Sequence, residues 1–179
     1  MASTREVLET TIQLEEQSMA IYACFSQRFA DNPSLHEFWF SMARDEARHV
    51  GALKLVLIVL GLEDRLDRPS PVELQKATIG RLRECVERSS LRSEPPISIE
   101  EALQVALDVE ETELEDLVGD LLKRIQEKDE YERYLRLLVH DLGELSYMIE
   151  QYSQDPALLQ RCDALVNRHA ETLHRAAGH

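Results

Sequence analysis

A carboxylate and an imidazole lie three residues apart in an otherwise apolar segment, FSMARDEARHVGALKLVLIVLG at residues 40–61. Helical spacing places Glu46 and His49 on the same face as Trp39 and Leu53. An ionised carboxylate on a buried apolar face is costly unless a partner compensates its charge. A bound cation is such a partner, so the pair predicts a metal site.

Acidic residues recur on the apolar faces of three other predicted helices. The spacing from Glu15 to Glu46 is 31 residues, and from Glu110 to Asp141 it is again 31. The spacing from Glu15 to His49 and from Glu110 to Glu144 is 34 residues in both cases. This offset of 95 residues indicates an internal duplication of a helical hairpin. The predicted ligands are Glu15, Glu46, His49, Glu110, Asp141 and Glu144.

The charges of these six side chains indicate how many ions they could hold. Five carboxylates crowded in one bundle repel one another, and two divalent cations nearly balance their charge. One Glu from each of two helices, with a Glu-x-x-His pair from the others, is how helical bundles hold two irons or manganeses. Mixed oxygen and nitrogen donors also favour iron or manganese. We therefore expect two metal ions, iron first and manganese as the alternative.

The elements that must position these residues are helices. We expect a helical hairpin at 4–61, a crossover at 62–97 with a short amphipathic stretch at 74–86, a second hairpin at 98–153 and a C-terminal helix at 155–176. The third helix is expected to run from 98 to about 128. A long crossover between two hairpins is typical of the ferritin-like antiparallel four-helix bundle. The expected fold is therefore all-α, as a single domain over 1–179.

Composition excludes several classes of partner. The chain has 179 residues and a net charge of -14, which argues against nucleic acid and anionic membranes as partners. The sequence has no apolar stretch of the length that spans a bilayer. Three cysteines without C-x-x-C spacing predict neither a disulfide framework nor a thiolate metal site. A reduced, cytoplasmic setting is expected.

The segment QLEEQSMAIYACFSQRFADNPSLHEFWFSMARDEARHV resembles the helical domain of rubrerythrins, and ALDVEETELEDL resembles their third helix. The resemblance covers residues 5–60 and 99–152. It implies a di-iron protein acting on peroxide, oxygen or ferrous iron, with Tyr22 as hydrogen-bond partner of one carboxylate. It also implies an enzyme of the peroxidase or ferroxidase type, an external electron donor and a homodimer.

Two departures from that family leave alternatives open. Asp141 and Glu144 stand where the family has its second Glu-x-x-His, and the rubredoxin-like cysteine domain is missing from this sequence. A register shift of one residue would make His140 the ligand in place of Asp141 and Glu144. The alternative functions are an iron-binding or storage protein, and a metal-free helical bundle that serves as an interaction module.

Overall fold

The computed structural model describes residues 2–70, 76–89, 96–112, 118–119 and 128–177. Within these ranges there is no β-strand, only one antiparallel bridge between Ser3 and Pro69. The predicted all-α class with an additional C-terminal helix is confirmed. The helices are α1 Thr4–Arg28, α2 Pro33–Leu62, α3 Lys76–Ser89, α4 Ile99–Glu110, α5 Lys128–Tyr152 and α6 Pro156–Ala177.

Local signals begin and end the first hairpin. Ser3 caps α1 and forms a reciprocal capping box with Glu6, which satisfies backbone N–H groups of the first turn. The Asn32 side chain accepts hydrogen bonds from the first turn of α2, and Pro33 occupies the first helical position. Asp64, with φ 54°, reverses the chain after α2 in the left-handed conformation that commonly ends a helix.

The core lies between the hairpin α1–α2 and the helices α4 and α5. Its largest fully buried side chains come from the first four helices and are Trp39, Tyr22, Phe25, Leu8, Ile21, Leu35, Leu53, Leu82, Leu103 and Leu107. Helix α3 lies in the predicted crossover and packs on both α1 and α4. Of the helices described, none is long and apolar enough to cross a membrane.

Helix α4 ends earlier than the sequence predicts. The expected helix to about residue 128 is wrong at residues 111–112, which form a turn directly after Glu110. The hydroxyl of Thr112 donates to the carbonyl of Val109 at 2.7 Å, and a threonine that bonds the backbone in this way competes with continued helix. Residues 113–117 and 120–127 lie outside the described part of the chain.

Helix α6 packs on α5 and determines which face of α5 is buried. Cys162 lies 3.7 Å from the carbonyl oxygen of Leu142, and Ser146 donates to Asp163 at 2.7 Å. The buried face of α5 consists of Tyr134, Leu135, Leu138, Leu142, Leu145, Met148 and Ile149. The predicted position of Glu144 on the apolar face of this helix is wrong, because Glu144 is exposed, as is Leu137 one helical turn beyond Asp141 in the N-terminal direction. The prediction from the sequence considered only the contact of α5 with the other bundle helices. In the structure, α6 buries a further side of α5.

Candidate metal centre

Three of the predicted ligands meet between α1 and α2. Glu15, Glu46 and His49 each offer a ligand atom, and these atoms all lie within 4.8 Å of one another. Nδ1 of His49 is 3.5 Å from Oε2 of Glu15 and 3.4 Å from Oε2 of Glu46. Glu15 is 0% exposed and Glu46 is 4% exposed. The most specific part of the predicted site is therefore assembled by the first hairpin alone.

The polar groups next to Glu15 on α1 do not serve its carboxylate. Thr11 donates its hydroxyl to the carbonyl of Val7 at 2.8 Å, and Ser18 donates to the carbonyl of Leu14 at 3.3 Å. Both hydroxyls are thus used by the helix itself. The carboxylate of Glu15 is left facing Glu46 and His49.

Buried oxygens of this cluster lack hydrogen bonds. Among the described residues, both carboxylate oxygens of Glu15 and Oε2 of Glu46 are fully buried and have no hydrogen-bond partner. A buried polar atom without a hydrogen-bond partner destabilises the folded chain by the full free energy of removing it from water. Carboxylate oxygens beside an imidazole nitrogen are also the donors that iron and manganese accept. The residues present therefore fit a divalent cation.

The protonation of Glu46 reflects the same crowding. Burial and the negative charge of the adjacent Glu15 carboxylate raise the pKa of Glu46 well above its usual value, and His49 opposes the shift. Without a cation, the folded chain therefore favours the protonated form of this carboxyl group.

This shift predicts how the stability of the metal-free chain depends on pH. Because the pKa of Glu46 is higher in the folded chain than in the unfolded chain, protonation of Glu46 stabilises the fold. This stabilisation is complete below the unfolded-state pKa of about 4.5 and is lost as the pH rises through the folded-state pKa. The loss amounts to at most about 1.4 kcal/mol per pH unit for one proton. Denaturant unfolding of the metal-free chain from pH 5 to 8 should show this decline. Glu46→Gln should flatten it, and an equal decline in that variant would contradict the assignment.

Glu110 is held by a tyrosine of α1. The hydroxyl of Tyr22 donates to Oε1 of Glu110 at 2.5 Å, and both residues are buried. Tyr22 lies two helical turns from Glu15, about 10 Å along α1. The predicted hydrogen bond from Tyr22 to one of the carboxylates is present. The role of Glu110 as a metal ligand stays a prediction.

Removal of this hydroxyl should destabilise the chain. In Tyr22→Phe the ring is kept and the donor to a buried carboxylate is lost, which we expect to cost about 2 kcal/mol. The free energy of unfolding from urea titration measures the effect. Tyr147→Phe, at an exposed tyrosine of α5, is the matched control and should change stability by less than about 0.5 kcal/mol. Equal values for the two variants would contradict the structural role of this bond.

The remaining predicted ligands lie on α5. Asp141 is partly buried, and burial raises its pKa, opposed by a hydrogen bond with His140. Nδ1 of His140 lies 3.1 Å from Oδ1 of Asp141, and the imidazole is 66% exposed. Glu144 is exposed. The structure thus brings Glu15, Glu46 and His49 together and does not bring Glu144 to them, while the use of Asp141, Glu144 or His140 as ligands stays a prediction.

Sequence reasoning missed one acidic residue near the site. Asp45 of α2 is buried, forms an ion pair with Arg48, and its charge raises the pKa of Asp141. Its spacing of four residues from His49 was the available signal, because residues four apart share a helix face.

The comparison with known proteins agrees with this geometry. The rubrerythrin family model matches residues 6–138, which include nearly all of α1, the whole of α2 to α4 with the Glu15–Glu46–His49 cluster, and the first part of α5. No curated protein and no solved structure matches the chain. The family match and the helix arrangement together confirm the predicted ferritin-like bundle. The match spans well over half of the chain, and the chain belongs to the rubrerythrin family.

Proposed function

We propose that this chain binds two metal ions, iron with manganese as the alternative, and that it is redox active toward peroxide, oxygen or ferrous iron. The observation that carries the proposal is the buried cluster of Glu15, Glu46 and His49, with carboxylate oxygens that lack hydrogen bonds. Membership of a family that generally binds two irons supports it. Glu110 and Asp141 would complete the ligand set, and Glu144 would have to turn inward to join them.

The side chains of this chain have separate tasks in the proposed site. Glu15 and Glu46 hold cations through negative charge in an interior that screens charge poorly. His49 adds a neutral nitrogen donor, and Tyr22 fixes the orientation of the Glu110 carboxylate. Trp39, fully buried against Tyr22, Phe25 and Phe38, excludes water from this end of the hairpin. The chemistry that bound iron would supply is a two-electron exchange with the oxidant, completed by an outside reductant.

A second candidate function is iron binding or storage without catalytic turnover. The exposure of Glu144 and the partial exposure of Asp141 favour it, because ligands open to water exchange their ion more readily. In that case the α5 side of the site would serve as the route by which iron enters and leaves. As an enzyme, the chain would need an external electron donor; for both functions we propose a homodimer and a cytoplasmic setting.

One experiment separates the two functions. The chain is loaded anaerobically with ferrous iron and mixed with peroxide, and oxidation is followed optically with and without a chemical reductant in excess. An enzyme should consume many equivalents of peroxide per chain, whereas a carrier should react once and release iron to a chelator. Absence of both oxidation and bound iron would overturn the proposal and favour a metal-free interaction module.

A further inference from the structure

The imidazole of His49 packs against a tyrosine of the second hairpin. The ring centroids of His49 and Tyr134 are 5.3 Å apart, and the ring planes are inclined by 59°. Aromatic rings in proteins favour such tilted arrangements, with centroids about 4.5 to 7 Å apart. Tyr134 is buried, and the side chain of His49 is only 13% exposed. A residue of α5 therefore contacts a proposed ligand of α2 inside the protein.

A glycine leaves the space that the ring of Tyr134 occupies. A Cβ built at Gly119 would lie 3.2 Å from Cε1 of Tyr134 and 3.4 Å from Cε2 of Tyr131. Carbon atoms in favourable contact are about 3.5 to 4.0 Å apart, so a side chain at position 119 would press on the ring of Tyr134. Because protein interiors are closely packed, this pressure would displace the ring. The backbone at Gly119 therefore helps to fix where Tyr134 lies.

The orientation of the His49 ring decides whether its nitrogen faces the two carboxylates. In the structure, Nδ1 lies 3.5 Å from Oε2 of Glu15 and 3.4 Å from Oε2 of Glu46. The torsion that turns a histidine ring about its attachment to the side chain is broad, so this ring can rotate and carry Nδ1 away from both oxygens. An aromatic ring packed against the imidazole limits that rotation.

We propose that Tyr134 is a positioning residue of the metal centre. Its ring holds the imidazole of His49 with Nδ1 toward Glu15 and Glu46, and Gly119 leaves room for the ring to do so. Its effect on metal binding rests on the proposed function, whereas its effect on the imidazole does not. Through this contact the second hairpin orients a ligand that belongs to the first.

The internal duplication supports this role. At the offset of 95 residues, Tyr134 corresponds to Trp39 of the first hairpin. Trp39 is stacked on Tyr22, with ring centroids 6.1 Å apart, and the hydroxyl of Tyr22 donates to Glu110. The equivalent positions of the two hairpins thus both carry a buried aromatic ring that packs on a side chain of the proposed site.

Calorimetric titration with manganous ion tests the effect on metal binding. Tyr134→Leu removes the ring and should weaken binding by about 10- to 100-fold, as loss of a group that orients a ligand does. Tyr134→Phe keeps the ring and should keep the wild-type affinity. Ile149→Ala is the control for a loss of stability alone, since Ile149 is buried on α5 about 22 Å along the helix from Tyr134. This variant should be less stable and bind manganese as the wild type does.

Proton NMR of the metal-free chain tests the effect on the imidazole itself. The ring of Tyr134 shifts the nearby C–H resonances of His49, which are identified by their loss in His49→Gln. Tyr134→Leu should move these resonances, and Tyr134→Phe should leave them close to their wild-type positions. Gly119→Ala should move them too, because the added methyl group displaces the ring. Gly143→Ala is the matched control, since a Cβ there meets no atom within 4 Å, and it should move none.

The two measurements separate a failure of this proposal from a failure of the metal site. His49 resonances that do not move in Tyr134→Leu would overturn the positioning role, and so would a Tyr134→Leu chain that binds manganese like the wild type. A Tyr134→Phe chain as impaired as Tyr134→Leu would also overturn it. Unmoved resonances in Gly119→Ala would overturn the part assigned to Gly119. A wild-type chain that binds no manganese would contradict the proposed function, while the metal-free spectra would still decide whether Tyr134 orients the imidazole.

Discussion

Glu15→Gln should remove metal binding and, at the same time, stabilise the metal-free chain. The carboxylate of Glu15 is completely buried and has no hydrogen bond among the described residues. Without a cation this buried carboxyl group lies against that of Glu46, and a neutral amide of the same shape can instead donate to Glu46. We expect the metal-free variant to be more stable by about 1 to 4 kcal/mol. Loss of one ligand should weaken metal binding by at least about 100-fold.

The neighbouring glutamate provides the control. Glu16 is partly exposed and forms a surface ion pair with Lys54 at 2.8 Å. Glu16→Gln should leave metal affinity unchanged and alter stability by less than about 1 kcal/mol. Calorimetric titration with ferrous or manganous ion and urea unfolding of the metal-free forms give both quantities. A Glu15→Gln chain that binds metal like the wild type, or is destabilised without metal, would refute the site.

Metal should raise the stability of the wild-type chain by an amount that depends on its concentration. Glu15 and Glu46 come from two helices, so the site exists only in the folded chain. A ligand that binds only the folded form stabilises it by about 4 kcal/mol at 1,000 times its Kd. The melting temperature should therefore rise with the logarithm of the manganous or ferrous ion concentration.

The same titration on Glu46→Gln shows whether this effect arises at the cluster. The variant lacks one of the two buried carboxylates of the Glu15–Glu46–His49 cluster, so most of the rise in melting temperature should be lost. Magnesium, which prefers oxygen ligands and retains its water, should stabilise the wild type far less than manganese. Equal stabilisation by magnesium, or an undiminished rise in the variant, would point to binding by the acidic surface of the chain instead.

Much of the first hairpin could be predicted from its sequence. The predicted start of the hairpin at residue 4 is confirmed, because Ser3 is a strong N-cap, and Asn32 caps α2 in the same way. Glu46 and His49 could be predicted because the residues around them are apolar, and helical spacing places Glu15, rather than Glu16, on the apolar face of α1. The structure buries Glu15 and exposes Glu16 in part, as that spacing indicates.

The second hairpin was harder to predict, because the spacing of residues within α5 does not show that α6 packs on it. Trp39 and Tyr134 are both buried, as the offset of 95 predicts, but Met42 is buried and Leu137 is exposed. Leu137 and Glu144 are seven residues apart on one side of α5 and both are exposed, whereas α6 contacts Leu142 and Ser146. The periodicity of apolar residues shows that a helix has an apolar face. It does not show which side of that face packs on the bundle and which side packs on α6.

The central claim is that Glu15, Glu46 and His49 form part of a two-metal site. The most direct test is elemental analysis of the chain purified from the organism that produces it, without added metal. The account predicts about two iron or manganese ions per chain. A folded chain with no bound transition metal, which also fails to take up iron or manganese under anaerobic conditions, would contradict it.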